Sequence, residues 1–505
     1  MIRTPRPAPA RRAIRPRSAA VLLVLAASLA ACSSDDSSTE ATSSTSSEAS
    51  TPTEPTDSTL TSTEPTGSTT ATEPTDTTES ATTTEAATTT TAAPLGDPEG
   101  TDPLPALPDE VALPIVFVHG FAGSAQQYES QAMRFVANGY PQERIIAYDH
   151  DGAGLDIDAY VAGLVEVVDE ALATFDVEQI YLVGHSRGTR VSSTFLEDPT
   201  RAAKVAKYVA IDGQPCPAVP VPCTAPTQAL FPGQSHVEVA TSKESFAMQY
   251  EFLVGEAPEL VDIVNQREPV VISGRAVNFP ANTGREADLA IWVIDAASGA
   301  RIGDEPLATF ELGPDGQFGP VQLETGAHYE YALTSDASPF THHLYLQPYV
   351  RSSHLVRLLS SPPDGPTRLN TNVGAGHTAL VVSRMREWHA EGDADVLSIS
   401  VDGGEPVNAI TDFVGNFGIG LHIHDDAATP GETSLAPLPY FSEQPFQTGI
   451  DVYMPSSPDG SGTITITNLP RGDASHPQTL NVPRWPSAEN AVSVVFTDWE
   501  VDPPA

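Results

Sequence analysis

The chain has 505 residues, of which 66 are acidic and 25 are basic, and its formal net charge is −41. A surface this acidic repels phosphate backbones, so nucleic acid is not expected as a partner, and neutral substrates fit better than anionic ones. The length allows a folded part of several domains in addition to any targeting segment.

The first 31 residues predict export. They contain six arginines and no acid, followed by the apolar run Val21–Leu25, which is too short to span a membrane. The ending Leu-Ala-Ala-Cys resembles a bacterial lipobox, which implies cleavage before Cys32 and attachment of a lipid to it. A plain signal peptide with an incidental cysteine is the alternative. We therefore expect an exported chain that lipidated Cys32 anchors to the outer face of a bacterial membrane or envelope, or that is released outside the cell.

Residues 32–94 predict a disordered tether. Almost all are Ser, Thr, Ala, Pro and Glu, Thr-Glu-Pro-Thr recurs at 53, 63 and 72, and no residue is basic. Such a segment cannot bury a core and extends by repulsion between its acids. Its threonines are candidates for O-glycosylation.

Residues 180–188 read Ile-Tyr-Leu-Val-Gly-His-Ser-Arg-Gly, an apolar strand followed by G-x-S-x-G and a helix-compatible sequence. Glycines on both sides of the serine allow a tight strand-to-helix turn that raises the hydroxyl above the sheet edge. Ser186 is therefore the candidate nucleophile. Upstream, a second apolar strand ends in His119-Gly120-Phe121, where the backbone can offer an N–H to an oxyanion. The backbone amides of Phe121 and Arg187 are the two predicted donors.

The strand, the elbow and the His-Gly turn together resemble the α/β-hydrolase family, and within it the secreted lipases, over residues 110–265. The resemblance implies a mostly parallel sheet with flanking helices and a catalytic triad in the chain order serine, acid, histidine. It implies no cofactor and no metal.

That order leaves few choices for the remaining triad members. After His185, which lies inside the elbow, the next histidine is His236, in a loop ahead of a predicted helix that starts at an N-cap Thr241 and stops at Gly255. The acids between the serine and this histidine are Glu197, Asp198 and Asp212. Asp212 follows an apolar strand and precedes a glycine, which places it at the carboxyl edge of the sheet, whereas the other two end a helix.

We therefore expect His236 to act as the base and Asp212 to orient it. Asp212 as a simple turn cap and His236 as an ordinary loop histidine are the alternatives. Asp212 follows the strand immediately after the nucleophile's, whereas many family members carry the acid one strand later.

Cys216 and Cys223 flank a proline-rich hexapeptide between the candidate acid and base. In an oxidising compartment they are expected to form a disulfide that stiffens this connection, with free thiols as the alternative. Their spacing, without neighbouring ligands, is a poor zinc pattern.

After about residue 266 the helical periodicity gives way to short β-type runs separated by Gly, Pro, Asn and Asp, which predicts one or two all-β sandwich domains, at 266–368 and 369–505. The domain order resembles an archaeal lipase type whose C-terminal β module packs over the active-site mouth. Independent contact of the β domains with a glycan or an insoluble polymer is the alternative.

Two groups of residues could be read as metal ligands. One is the acidic run Asp149, Asp151, Asp156 and Asp158, and the other is the pair His422 and His424, which are two positions apart. The acidic run does not match a calcium loop and is expected to form a turn and a helix N-cap. The two histidines lie on one strand face and are expected to be solvated surface side chains.

These expectations combine into an exported serine ester hydrolase, a lipase or carboxylesterase that cleaves acyl esters through an acyl-enzyme on Ser186. Its partners would be a lipid or another hydrophobic ester, with part of the acyl site supplied by the Cys216–Cys223 loop or by the β domains. A polyester depolymerase or acyltransferase with the same triad, and a non-catalytic envelope binding protein, are the alternatives.

Overall fold

The computed structural model describes residues 100–385, 388–389, 394–410, 418–444 and 446–497. The predicted signal peptide, Cys32 and the whole predicted tether lie outside these ranges. Within them, no helix is both long and apolar enough to cross a bilayer.

The first part of the described chain is built on a five-stranded parallel sheet with the order β2-β1-β3-β4-β5. Alternate residues of β1 are buried on opposite faces of the sheet, and each face has its own apolar core. Ile115 and Phe117 belong to one core, and Val116 and Val118 belong to the second. Both faces are thus covered, as a parallel sheet requires. The strands are β1 Ile115–Val118, β2 Ile145–Tyr148, β3 Ile180–His185, β4 Val205–Ile211 and β5 Cys223–Thr224.

The described helices are α1 Glu129–Ala137, α2 Ile157–Phe175, α3 Arg187–Leu196, α4 Pro199–Ala202, α5 Glu238–Thr241, α6 Lys243–Val254, α7 Pro366–Asn370 and α8 Pro439–Ser442, with 3-10 turns at Ala125–Tyr128, Gln142–Arg144 and Pro470–Gly472. Asp156 caps α2 by accepting from the Ala159 amide. The predicted N-cap of α6 is wrong by one residue. Thr241 ends α5, and Ser242, whose backbone is extended, accepts from the Ser245 amide.

In the second part of the described chain, all regular secondary structure is β-strand apart from α7, α8 and one 3-10 turn. Its strands are β6 Val270–Asn278, β7 Thr283–Gly284, β8 Ala287–Val293, β9 Ala308–Leu312, β10 Gln317–Leu323, β11 Tyr329–Thr334, β12 Thr341–Leu346, β13 Ser353–Ser360, β14 Leu380–Arg384, β15 Val396–Val401, β16 Val407–Asn408, β17 Gly420–His424, β18 Gln447–Asp451, β19 Thr463–Leu469, β20 Gln478–Pro483 and β21 Asn490–Phe496.

Three sheets arise from these strands. One four-stranded sheet has the order β10-β6-β13 with β7 beside β6, and another has the order β16-β15-β19-β20. Between them an eight-stranded sheet runs β18-β17-β14-β21-β12-β11-β8-β9. It takes strands from both sides of residue 369, because β21 pairs in parallel with β12 and with β14.

The parallel-sheet part and the β part share apolar cores. Met133 of α1 and Ile263 pack with Val270, Ile272 and the strands that follow. In return, Leu355 of β13 packs in the core on one face of the parallel sheet. The β part is therefore held to the parallel-sheet part by shared apolar packing.

A buried acid lies at this junction. Glu129, the first residue of α1, is fully buried, and its Oε1 accepts a 2.7 Å hydrogen bond from the Ser353 hydroxyl of β13. Burial raises the pKa of Glu129 to about 7, although hydrogen bonds from Ser353 and Tyr349 oppose the rise. Between about pH 4.5 and pH 7, Glu129 therefore keeps its proton in the native state, whereas the same residue in the unfolded chain has released it.

Glu129→Gln is expected to flatten the pH dependence of stability. Because the folded-state pKa of Glu129 is raised, its contribution to the unfolding free energy of the wild type is complete below about pH 4.5. This contribution, about 3 kcal/mol, is lost as the pH rises through 7. Urea unfolding at pH 5 and pH 8 measures this: the wild type should lose more unfolding free energy than the glutamine variant. Equal losses in the two proteins would contradict the assignment, since other acids titrate alike in both.

Candidate active site

The serine of the G-x-S-x-G motif links β3 to α3 in a conformation that residues with side chains rarely adopt, with φ 53° and ψ −121°. Such strain persists only where the surrounding structure imposes it, and it concentrates at functional sites. The motif glycine after the serine is required by close packing, because a Cβ on Gly188 would lie 2.1 Å from the Val118 carbonyl oxygen. The first turn of α3 therefore packs directly against the end of β1, with Ser186 on the cavity side.

The His119-Gly120 turn approaches the same serine. A Cβ on Gly120 would lie 3.0 Å from the Ser186 Cβ, so only glycine allows this approach without displacing the serine. The buried His119 ring holds the turn, with Nδ1 donating to the Gly120 carbonyl oxygen over 2.8 Å. Burial, above all, lowers the pKa of His119 to about 3, so the ring is neutral.

The two residues predicted to supply oxyanion donors lie next to each other. The Arg187 guanidinium lies 5.2 Å from the centre of the Phe121 ring and 5.1 Å from that of Tyr160. Its Nη2 donates over 2.6 Å to the Asp151 carbonyl oxygen. The Arg187 amide opens α3 and has no acceptor within the helix. Phe121 and Ser186 line the same cavity, and the two backbone amides stay the predicted oxyanion donors.

The structure brings the predicted acid and base together. Asp212 follows β4, and its Oδ2 lies 2.5 Å from Nδ1 of His236. Its Oδ1 accepts from the Gln228 backbone amide over 3.0 Å. Burial raises the pKa of the Asp212 carboxyl, but the hydrogen bonds from His236 and Gln228 outweigh it, so the net shift is downward. Asp212 is thus a carboxylate that holds the imidazole with Nδ1 protonated and leaves Nε2 free as a base.

His185 has a role that sequence reasoning missed, because the residue was treated only as part of the elbow. Its Nε2 donates over 2.9 Å to the His236 carbonyl oxygen, and its Nδ1 accepts from the Gln127 side chain over 2.5 Å. Burial first, and the nearby His236 second, lower the pKa of His185 to about 3. This neutral ring fixes the loop that carries the candidate base.

Ser186 and His236 line one cavity of about 190 Å³. The β part supplies the opposite side, and no described residue of the Cys216–Cys223 loop lines it. Aromatic rings form its rim: the Trp388 ring lies 5.5 Å from that of His236, and Phe446 lies 5.6 Å from Phe121 and 5.7 Å from Trp388. The β part thus contributes part of the lining of the candidate site.

The other predictions have mixed outcomes. The Cys216–Cys223 disulfide is confirmed, with its Cα atoms 5.8 Å apart. The expectation that His422 and His424 are solvated is wrong: they are 4% and 3% exposed, because their strand lies inside the eight-stranded sheet and Phe441 packs on both rings. Within the described ranges, no three His, Cys, Asp or Glu side chains converge as metal ligands would.

Asp149 departs from the turn expected for the acidic run. Its carboxylate is buried just beyond β2, where Oδ1 accepts from the Ala125 amide over 2.7 Å. Its Oδ2 lies 2.8 Å from Arg357 Nε and 3.0 Å from Arg275 Nη1, two arginines paired side by side on β13 and β6. The acid therefore joins the parallel-sheet part to the β part, a role that its local sequence does not indicate.

Comparison with known proteins agrees with this architecture. Residues 114–237 match the family model of the alpha/beta hydrolase fold. The first part of the described chain has the α/β-hydrolase fold, and we call it the hydrolase domain. After this hydrolase domain, residues 268–363 match a lipase C-terminal domain, and residues 367–500 match a further C-terminal domain model.

The curated relatives match only part of this chain. A non-heme chloroperoxidase from Burkholderia pyrrocinia is 38% identical over 112 residues, which are 21% of this chain and 33% of that protein. Another from Streptomyces lividans is 33% identical over 109 residues, 20% of this chain and 37% of that protein. The chain thus spans about a third of the length of these curated relatives.

Among solved structures, an epoxide hydrolase from Vigna radiata is 25% identical, with 21% of this chain and 35% of that chain covered and a TM-score of 0.17. An extracellular alpha/beta-hydrolase from a Paenibacillus species is 21% identical, with coverages of 21% and 42% and a TM-score of 0.16.

Proposed function

We propose that the protein is a serine ester hydrolase that cleaves neutral acyl esters through an acyl-enzyme on Ser186. The observation that carries the proposal is the 2.5 Å contact between Asp212 and the ring of His236, a residue that lines the same cavity as Ser186. An ionised acid, an imidazole oriented by it and a strained serine at the start of a helix are the parts that acyl transfer requires.

In the proposed reaction, Ser186 Oγ attacks the ester carbonyl carbon while His236 Nε2 takes the hydroxyl proton. The backbone amides of Phe121 and Arg187, with the positive end of α3, stabilise the oxyanion that forms. When the tetrahedral species collapses, the C–O bond to the alcohol breaks and His236 returns the proton to the leaving oxygen. A water then attacks the acyl-enzyme by the same route, which releases the acid and restores Ser186.

The preference for a hydrophobic ester rests on the cavity. The aromatic residues Phe121, Trp388 and Phe446 contribute to its lining, and apolar lining suits a hydrophobic ligand. The match to a lipase C-terminal domain supports the same substrate class. Export and lipid attachment at Cys32 stay predictions from the sequence.

A fluorophosphonate probe is expected to label the full chain at one residue, Ser186, because only a serine activated by a base attacks phosphorus at a useful rate. Peptide mass spectrometry locates the adduct, and Ser186→Ala should abolish it. Ser192→Ala is a matched control, since Ser192 is buried in α3 on the same helix and lies outside the cavity. An unlabelled wild type, or a label that survives in Ser186→Ala, would reject the proposed nucleophile and favour a non-catalytic binding protein.

A further inference from the structure

The floor of the cavity is one face of the eight-stranded sheet. Strand register places its residues in two rows that cross β21, β14, β17 and β18. The first row is Val495, Ser383, Gly420 and Gln447, and the second is Ser493, Val381, His422 and Gly449. The alternate residues Leu421 and Ile423 point into the core beneath, so the sheet presents a mixed polar face to the cavity.

Gly420 leaves a hollow in this floor. A Cβ built on it would meet a single heavy atom within 4 Å, Nε2 of His422, at 3.9 Å. On either side in the same row are Ser383 and Gln447, and both line the cavity. We call the space above Gly420, bounded by Ser383, Gln447 and His422, the polar nook.

The groups around the polar nook are neutral. His422 is 4% exposed and stacks on the Phe441 ring at 3.8 Å. Burial chiefly lowers the pKa of His422 to about 3, so its ring has one donor and one acceptor nitrogen. Arg384, which also lines the cavity, is paired with Asp395 at 2.9 Å. A neutral oxygen of a ligand suits this set better than an anion does.

We infer that the polar nook binds a second oxygen on the substrate's acyl chain, either a hydroxyl or a further ester carbonyl. The inference rests on the proposed function, since the acyl chain must extend from Ser186 across the cavity to the sheet. When a bound ligand covers polar groups of the protein without forming hydrogen bonds to them, binding loses free energy. An ester with an unsubstituted acyl chain is therefore the poorer substrate. The substrate class is therefore an oxygen-bearing acyl ester, such as a hydroxyacyl ester or a segment of an aliphatic polyester.

The test compares kcat/KM for p-nitrophenyl decanoate with that for decanoates hydroxylated at successive carbons. In the wild type, one position or two adjacent positions should gain about tenfold over the parent ester, the effect of one net hydrogen bond. Gly420→Val, which fills the nook, and Ser383→Ala should bring this ratio close to one. Ser400→Ala, on the separate sheet that contains β15, is the matched control and should keep the wild-type ratio.

A soluble hydroxyalkanoate trimer, assayed alongside, presents a carbonyl in place of the hydroxyl. If Gly420→Val removes the kcat/KM advantage of one of these substrates over the parent ester, the oxygen that this substrate carries is the one that the nook binds. A wild type that hydrolyses the parent ester at least as fast as every oxygenated one would overturn the inference and leave the proposed function standing. A wild type that hydrolyses none of the esters would overturn both.

Discussion

Asp212→Asn is expected to lower kcat on p-nitrophenyl esters by about 10³–10⁴-fold while leaving the fold intact. The amide cannot stabilise a protonated His236, and its NH₂ group favours the tautomer whose Nε2 carries the hydrogen and so cannot accept one from Ser186. Steady-state kinetics on the full chain measure the loss, and a thermal melt checks that the variant is folded.

Asp198→Asn is the matched control. Asp198 is another acid between the serine and the histidine, and it caps the short helix α4 through the Thr200 and Arg201 amides. Asparagine caps helices about as well, so both kcat and the melting temperature should stay near wild type. Near-normal turnover in Asp212→Asn, or a collapse of turnover in Asp198→Asn, would show that the acid is misassigned.

Asp149→Asn is expected to destabilise the protein by about 3–5 kcal/mol. The substitution removes the negative charge that Arg357, 5% exposed, and Arg275 share, and an uncompensated buried cation costs this much. Because the three residues join the hydrolase domain to the β part, loss of the acid should also loosen that junction. Denaturant unfolding monitored by tryptophan fluorescence measures the change.

The control for this effect is Asp169→Asn, which breaks the ion pair with Lys204 on the surface. The Asp169 side chain is 50% exposed, so its pair contributes no more than about 1 kcal/mol. If the two variants lose similar unfolding free energy, the Asp149 cluster is not the junction that the structure indicates.

Local sequence accounts for the elements that position the candidate site. A continuous apolar run before G-x-S-x-G predicts β3 and the tight turn, and the rule that ligands bind at the carboxyl edge of such a sheet predicts that Asp212 lies near that turn. The structure agrees with both placements. The N-cap of α6 was misplaced because Thr241 and Ser242 carry the same kind of hydroxyl, and only the backbone conformation decides between them.

What sequence reasoning could not supply is contact between distant segments. Asp149 meets Arg357 more than 200 positions later, and nothing near either residue marks the pairing. His422 is buried because its strand lies inside an eight-stranded sheet, whereas its local alternation is also that of a half-exposed strand. The polar nook likewise depends on the register of three strands, and a single sequence does not specify register.

The position of β21 has a consequence for how the molecule matures. This last described strand lies between β12 and β14 and contributes two residues to the cavity floor. A nascent chain emerging from the ribosome therefore completes its hydrolase domain long before it can build the chamber in front of it. The full lining of the cavity is therefore available only after residues 490–496 have been synthesised.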